Sequence, residues 1–336
     1  MSDKRVPFAH LHVHTEYSLL DGAIRLKDLV SYASEIGLPA LAITDHGVMY
    51  GAPEFYQYAT KAGVKPIIGC EVYVTPDSRH SRAIRKDSHL YHLVLLARTN
   101  DGYRNLSKLV TRSFTEGYYY KPRVDLELLS EYAEGLIALS ACVSGEVPKR
   151  ALVEGMDASE KALRTYLDIF GPENFYLELQ DHGLPEQATA NKALVELARR
   201  NKVGLVATND AHYLRKEDKD AHDALLCIQT NSVITEDDRF GFSSDQFYLK
   251  TYEEMQQLFK EVPEALSSTL EIAERCDVTF EFGTIYLPDY EVPEGETLDS
   301  YLRKLCYEGA RRRYGEIRDD VRKRLDYELS VIKDMG

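Results

Sequence analysis

Three histidines stand two residues apart near the start of the chain, within the stretch "PFAHLHVHTEYSLLDG" at residues 7–22. In a β-strand, successive side chains point to opposite faces, so His10, His12 and His14 would share one face. Neutral imidazole is a common metal ligand, and two imidazoles on one face can converge on one cation. The spacing is therefore typical either of a metal site, with Asp21 nearby, or of a strand edge with solvated histidines.

Further apolar runs of strand length end in residues of ligand type. The ends of these runs carry Asp45 and His46, Glu71, Cys142, Asp181 and His182, and Asp210 and His212. His92 breaks this pattern, because it opens its run instead of closing it. In β/α folds, active sites form at the carboxyl ends of the strands, so the recurrence predicts one shared site.

Stretches with helical spacing separate most of these runs. Examples begin at Leu26, Tyr103 and Leu163, each with apolar residues three and four positions apart. Strands that alternate with helices predict an α/β fold with a parallel sheet. Seven such runs suggest a barrel related to the eight-stranded (β/α) form, with an open sheet as the alternative.

The ligand set predicts a site with several metal ions. Imidazoles suit zinc, manganese or iron, carboxylates suit manganese or magnesium, and a thiolate favours zinc or iron. About nine ligands are too many for one ion, and a carboxylate such as Glu71 can bridge two. Neighbouring divalent ions stabilise the attacking and leaving oxygens of a phosphate ester, so phosphoester hydrolysis is the reaction class that these residues favour.

The composition bounds the kind of protein. The 336 residues are 44% hydrophobic and 29% charged, with five scattered cysteines. No apolar run is long enough to span a membrane, and the pattern predicts a cytoplasmic globular protein. The net charge of −14 argues against a broadly basic surface for nucleic acid. One basic stretch, Arg79 to Lys86, is interpreted as a solvated loop, with phosphate steering as the alternative.

Several motifs resemble the PHP (polymerase and histidinol phosphatase) domain. They are, in chain order, "HLHVHTEYSLLDG", "ALAITDHG", "IIGCEVYV", "HLVLLA", "LSAC" and "ATNDAHY". The strings "EGYYYKPRVD", "YLELQDHG" and "SSDQFYLKTYEEM" are more closely similar to the amino-terminal part of bacterial replicative polymerases of the C family, the DNA polymerase III alpha subunits. The resemblance implies a distorted seven-stranded (β/α) barrel followed by a short helical segment.

The resemblance also implies a ligand set and two or three divalent ions (Zn, Mn or Fe). One ion would be shared by His12, His14, Glu71 and Asp210, a second by Glu71, His92 and Cys142, and a third by Asp21, His46 and His212. The implied catalytic residues are Asp210, Glu71 and His14. Asp45 is expected to orient His46 or its neighbours, and His10 to be a buried structural histidine.

The function implied by the resemblance is a 3′–5′ DNA exonuclease with a proofreading role inside a replicative polymerase. The expected partners are a DNA 3′ end, the rest of the polymerase chain and other replisome subunits, with no membrane. Residues 1–285 would form the metal-dependent phosphoesterase domain. Residues 286–336 would form a linker and two helices where the polymerase palm and thumb region starts. The palm carboxylates are not in this sequence, so no DNA synthesis is expected from this piece.

Two other functions use the same residues. A phosphomonoesterase of the histidinol-phosphatase type would act on a small substrate, although the polymerase-like strings after Glu116 argue against it. A metal-stabilised scaffold for the polymerase would bind the ions without turnover, which the complete ligand set disfavours. Retained metal without hydrolysis of any phosphoester would indicate the scaffold.

Overall fold

The chain folds into two compact units in this computed structural model. The first unit ends at Phe280 and the second begins at Glu281. Sequence analysis placed the corresponding boundary at residues 285 and 286. The residues that the structure describes are 6–19, 21–82, 90–236 and 238–335.

Among the described residues, seven short strands form a curled sheet at the centre of the first unit. The strands are β1 (Ala40–Ile43), β2 (Lys65–Val74), β3 (Tyr91–Ala97), β4 (Arg123–Val124), β5 (Leu136–Leu139), β6 (Phe175–Leu179) and β7 (Gly204–Ala207). Their order in the sheet is β1-β2-β3-β5-β6-β7, and β4 pairs with β2 beside this path. The distorted seven-stranded (β/α) barrel is confirmed as the fold class.

The sheet is mixed, because β3 is antiparallel to both of its neighbours, β2 and β5. The expectation of an all-parallel sheet is therefore wrong at this strand. In the β2–β3 register, Tyr73 lies opposite His92. The start of β3 consequently lies at the edge where β2 ends, and this explains why His92 opens its run. Because β3 runs in the reverse direction, His92 at its start lies beside the ligand-type residues at the ends of the parallel strands.

Residues 10–14 join the two edges of the curled sheet. His10 pairs with Leu41 of β1, and Val13 pairs with Ala211, which follows β7. The backbone hydrogen bonds on both sides of this segment close the sheet into a barrel. The pairing consists of isolated bridges, so the regular strand predicted here is not formed.

The three neighbouring histidines do not share one face. The His10 ring packs against Phe8 at 4.8 Å between centroids, and its Nε2 lies 2.8 Å from the carbonyl oxygen of Lys250. Leu11 belongs to the apolar cluster inside the barrel, whereas Val13 belongs, with Phe8, to the cluster beneath the helices. The alternation of side chains between two faces, which a regular strand would show, is therefore interrupted within residues 10–14. His10 is buried and structural, as expected, and only His12 and His14 extend to the carboxyl edge of the sheet.

Helices cover the sheet where the apolar spacing predicts them. The predicted helices starting near Leu26, Tyr103 and Leu163 are formed, with their apolar faces buried. The helices of the first unit are α1 (Leu26–Glu35), α2 (Ala52–Ala62), α3 (Asn100–Thr115), α4 (Leu126–Glu131), α5 (Glu146–Val153), α6 (Met156–Phe170), α7 (Pro185–Asn201), α8 (Lys219–Thr230), α9 (Tyr252–Leu258) and α10 (Pro263–Arg275).

Local capping and packing fix several of these helices. The side chain of Thr99 accepts a hydrogen bond from the Gly102 amide and begins α3, while Thr251 and Glu254 form a reciprocal capping box at α9. From α10, Ile272 packs with the apolar cluster inside the barrel. The apolar interior is thus covered by this helix, and the polar site lies at the carboxyl edge.

Over residues 281–335, which the structure describes, the second unit contains two helices, α11 (Leu298–Tyr314) and α12 (Asp319–Asp334). Both lie within residues 286–336, where a linker and two helices were predicted. Within the described residues of either unit, no helix has the length and apolar character that crossing a bilayer would require.

The barrel closure generates a stability prediction at Thr44. Its Oγ1 accepts a hydrogen bond from the Val13 amide at 2.9 Å and lies 3.2 Å from the Val13 carbonyl oxygen. Thr44→Val keeps the shape but leaves a buried amide without its partner. We expect the free energy of unfolding, measured by urea titration, to fall by about 1–3 kcal/mol.

The matched control for this variant is Thr60→Val on the exposed surface of α2. It should change stability by less than about 0.5 kcal/mol. Equal stabilities of the two variants would show that the Val13–Thr44 contact does not hold the barrel closed.

Candidate metal centre

Side chains from several segments of the barrel meet at the carboxyl edge of the sheet. Nε2 of His12 lies 3.2 Å from Nε2 of His14. Oδ1 of Asp210 lies 3.2 Å from the first of these nitrogens and 3.0 Å from the second. The two oxygens of Glu71 lie 3.5 Å from one nitrogen each. These four side chains therefore direct nitrogen and oxygen atoms at a common point.

Glu71 also contacts a second group of ligand-type side chains. Its Oε2 lies 2.7 Å from Nδ1 of His46, and its Oε1 lies 2.9 Å from Nδ1 of His92. The Cys142 sulfur lies 4.0 Å from the same His92 nitrogen. Because each carboxylate oxygen faces different imidazoles, Glu71 is placed where it can bridge two ions.

The remaining predicted ligands lie beyond His14. Its ring centroid is 4.0 Å from that of His46 and 4.2 Å from that of His212, and Asp21 Oδ2 lies 3.4 Å from His46 Nε2. His46 thus contacts both Glu71 and Asp21, and its assignment to one ion stays a prediction. The structure brings all nine predicted residues into one group, which consists of His12, His14, Asp21, His46, Glu71, His92, Cys142, Asp210 and His212.

The two central carboxylates are ionised although they are buried. Burial opposes the charge on Glu71, but His92, His46 and His12 outweigh it and hold the pKa of this carboxyl well below its usual range. The pKa of Asp210 is likewise lowered, because the neighbouring imidazoles, His12 foremost, outweigh burial. The site therefore presents permanent negative charge in a poorly solvated place.

Two of the histidines are held in the neutral form that metals bind. Burial and the neighbouring His46 lower the pKa of His14 to about 4. Burial, followed by the neighbouring His14, lowers the pKa of His212 well below its usual value. By contrast, nearby carboxylates outweigh burial and raise the pKa of His12 and His92, so only some of the imidazoles can carry positive charge that balances the carboxylates. Neutral imidazole is the ligand state, so no proton has to be displaced from these two rings.

Unpaired buried atoms support binding of cations at this place. Among the described residues, Oδ1 of Asp21, Nδ1 of His46, Oε2 of Glu71 and Oδ1 of Asp210 are buried and have no contact with hydrogen-bonding geometry, although the His46 and Glu71 atoms lie only 2.7 Å apart. Burial also raises the pKa of the Cys142 thiol, which a coordinated cation would lower. Imidazole, carboxylate and thiol together suit divalent zinc, manganese or iron. The residues present fit a group of such ions.

Sequence analysis missed one carboxylate that orients the centre. Glu178 lies in the middle of β6 and is buried, and its Oε1 is 2.7 Å from Nδ1 of His12. Gln180 donates to the same oxygen at 2.9 Å, and Thr208 donates to it as well. The His12 Nε2 atom is thereby aimed at the cluster, as in a carboxylate–histidine–metal arrangement. The sequence feature that could have indicated this role is a single acidic residue, Glu178, among the apolar residues of a predicted strand.

Asp45 contacts the metal-ligand residues indirectly, through the hydroxyl group of Ser18. Its Oδ1 accepts hydrogen bonds from the Thr15 amide at 2.6 Å and from Ser18 Oγ at 3.0 Å. Ser18 Oγ also lies 2.9 Å from Nδ1 of His14 and accepts from the His46 amide at 3.0 Å. Burial raises the pKa of Asp45 to about 6. The expected orienting role of Asp45 thus reaches His14 and the backbone of His46 by way of Ser18.

Backbone conformation contributes at two ligands. Asp210 has a φ of 46°, in the left-handed region that aspartate and asparagine tolerate better than most residues. Gly47, immediately after His46, has a φ of 65°, and a Cβ there would meet Pro122 Cγ at 2.8 Å. A glycine is therefore required where the chain turns away from His46.

Two residues singled out at the end of the β6 run lie outside this group. His182 Nε2 donates a hydrogen bond to the Asn209 carbonyl oxygen at 2.9 Å, and its ring stacks on Phe247 at 3.8 Å. Asp181 Oδ1 accepts from the Gly183 amide at 2.9 Å. Both side chains shape the loop after β6.

The basic stretch is only partly a solvated loop. Arg79 is 4% exposed and forms ion pairs with Glu116 at 2.8 Å and Asp125 at 2.9 Å. The interpretation as a solvated loop is wrong for this residue, because three acids distant in sequence, these two and Glu127 at 3.1 Å, neutralise it. Arg85 and Lys86 lie outside the described residues.

A cavity of about 420 Å³ opens above the ligand cluster. Asp21, His46, His92, Asp210 and His212 contribute to its lining. The lining also includes three phenylalanines, a tyrosine and a lysine, which are Phe240, Phe242, Phe247, Tyr73 and Lys121. The candidate ligands are therefore accessible to a small molecule or to one unit of a polymer.

The chain is similar in sequence to members of a known domain family. The profile of the PHP domain family matches residues 10–182. The chain is 45% identical over 330 residues to the DNA polymerase III subunit alpha of Treponema pallidum, covering 98% of this chain and 28% of that protein. It is 48% identical over 320 residues to the Thermus aquaticus subunit, covering 92% and 26%.

The chain is also similar to a solved structure. A two-domain protein of Bacteroides vulgatus, described as containing a predicted PHP-like metal-dependent phosphoesterase, aligns with a TM-score of 0.37 at 16% identity. The alignment covers 61% of this chain and 52% of that chain. The present chain spans about a quarter of the length of the two polymerase subunits.

The contact between Glu178 and His12 generates a prediction about metal affinity. Glu178→Gln keeps the side-chain volume but removes the anion that orients the imidazole. We expect the affinity for Zn²⁺ or Mn²⁺, measured by competition with a chelating dye, to fall roughly 10- to 100-fold.

Glu173→Gln, at an exposed position just before β6, is the matched control and should bind metal like the unmodified chain. Circular dichroism establishes that both variants are folded. Unchanged affinity in a folded Glu178→Gln variant would show that this carboxylate does not support the centre.

Proposed function

The chain belongs to the PHP domain family, and from this membership we propose that it is a metal-dependent phosphoesterase acting on the 3′ end of DNA. The observation that carries the proposal is one group of nine ligand-type side chains, six of which line an open cavity: Asp21, His46, His92, Cys142, Asp210 and His212. Divalent ions held there would supply the positive charge that phosphoester hydrolysis needs. The similarity to DNA polymerase III alpha subunits supports DNA as the substrate.

In the proposed reaction, water attacks the terminal phosphodiester. A bond forms between the water oxygen and phosphorus, and the bond from phosphorus to the 3′ oxygen of the preceding nucleotide breaks. The products are a 5′-mononucleotide and a DNA chain with a new 3′ hydroxyl group. Repetition of this step gives 3′–5′ exonuclease activity, which would serve proofreading beside a polymerase.

The side chains of the centre have separate tasks in this proposal. Glu71 contacts both histidine groups, so it would hold two cations at a fixed separation. Asp210 and His14, 3.0 Å apart, would complete one of the two sites. Glu178 and Asp45 would only orient these ligands. We propose two or three ions in total, bound by the nine residues.

The proposal also assigns parts to the two units. Residues 1–285 would form the phosphoesterase domain, and residues 286–336 a linker and helices that lead into a polymerase. The remaining polymerase chain and other replisome subunits would be the protein partners. A small phosphate ester, hydrolysed instead of DNA, would indicate the histidinol-phosphatase type of function.

Asp210→Asn tests the proposed reaction. Asparagine keeps the size and tolerates the left-handed backbone, but it lacks the anion that would hold a cation. We expect release of nucleotides from 3′-labelled single-stranded DNA to fall roughly 10²-fold or more, as expected for a group that stabilises the transition state.

Two controls separate chemistry from folding. Asp277→Asn makes the same chemical change at an exposed position, and His80→Ala removes an imidazole that is 58% exposed in its side chain. Both should retain the rate. An Asp210→Asn rate equal to that of the unmodified chain, at equal metal content, would place the nuclease elsewhere and favour a scaffold function.

A further inference from the structure

The cavity above the metal centre combines two kinds of lining. Its floor consists of ionisable ligand-type side chains, and one wall is aromatic. The ring centroids of Phe242 and Phe247 are 4.5 Å apart, and Phe242 meets the ring of His212 edge-on at 4.9 Å. Phe240 is 56% exposed and also lines the cavity. A ligand bound at the floor would therefore extend along aromatic rings.

The lining of the cavity also carries a positive charge at Lys121. Lys121 Nζ lies 3.4 Å from the Tyr73 hydroxyl and 5.1 Å from the centre of that ring. The Tyr73 ring in turn stacks on His46 at 5.8 Å. Among the described residues that line the cavity, Lys121 is the only lysine or arginine. In a chain with a net charge of −14, its position next to the centre favours an anionic group there.

These two features fit one ligand of mixed chemistry. A phosphate group would bind to Lys121 and to cations at the floor. Phosphate binding does not explain the aromatic wall, because aromatic rings do not attract an anion. A nucleobase has a flat π-face that stacks on aromatic side chains irrespective of its identity. A volume of about 420 Å³ is of the size that takes one small organic molecule.

We propose that this cavity is a mononucleotide subsite, in which Lys121 contacts the phosphate and Phe240 and Phe242 stack the base. This inference rests on the proposed function and specifies its substrate as a single-stranded end, because a base must be unpaired to reach the wall. Stacking accepts every base, so the subsite is independent of sequence.

Binding of the reaction product tests the subsite without turnover. The chain is loaded with Mn²⁺ and titrated calorimetrically with thymidine 5′-monophosphate and with inorganic phosphate. We expect the nucleotide to bind more tightly than phosphate. Phe240→Ala should weaken nucleotide binding about tenfold or more, the scale of losing a base-stacking aromatic side chain, and leave phosphate binding unchanged. Phe240→Leu, which keeps apolar area without a π-face, should restore only part of the loss.

The charged side of the subsite is tested with the same two probes. Lys121→Met should weaken both nucleotide and phosphate severalfold, and Lys121→Arg should restore both. Phe114→Ala and Lys161→Met, at exposed positions that do not line the cavity, are the matched controls.

The outcomes distinguish the subsite from the proposed reaction. Equal affinities for nucleotide and phosphate, or nucleotide binding that is insensitive to Phe240, would overturn the subsite. Nucleotide binding that depends on Phe240 in a chain that does not hydrolyse DNA would support the subsite and contradict the exonuclease proposal.

Discussion

Buried negative charge is the constraint on which this structure depends. Glu71 and Asp210 are 1% and 6% exposed, and their pKa values are lowered, so both are ionised. Transfer of a carboxylate from water into a protein interior costs several kcal/mol unless the charge is compensated. The surrounding imidazoles compensate it only in part, because the nearby carboxylates outweigh burial and raise the pKa of His12 and His92, whereas burial and mutual repulsion keep His14 and His212 neutral. The arrangement is therefore best satisfied by cations, and the surrounding hydrogen bonds hold the ligands in position for them.

The path of the chain explains how one edge of the barrel collects so many ligands. Parallel strands bring their carboxyl ends together, and the reversed β3 adds its amino end at the same edge. Residues 10–14 then close the barrel and extend His12 and His14 into the group. Because β2 lies between β1 and β3, Glu71 is central among the ligands. A carboxylate in this position contacts imidazoles that come from both sides.

Much of the site could be predicted from the sequence, since ligand-type residues at the ends of apolar runs are a local pattern. The direction of β3 could not be predicted, because apolar composition does not encode the direction of a strand. The separation of His10 from His12 depends on an interrupted strand, and Glu178 was missed because its role depends on a partner 166 residues away. Arg79 was misinterpreted for the same reason, as its partners are distant in the chain.

The central claim is that the buried carboxylates share divalent cations, and metal analysis combined with anomalous X-ray scattering tests it most directly. The chain would be purified without added metal, and the metal content and positions determined on the same material. The account predicts two or three ions per chain, with ions within about 2.0–2.3 Å of atoms of Glu71, Asp210 and their neighbouring histidines. A folded chain with less than one ion, or with ions away from these side chains, would contradict it.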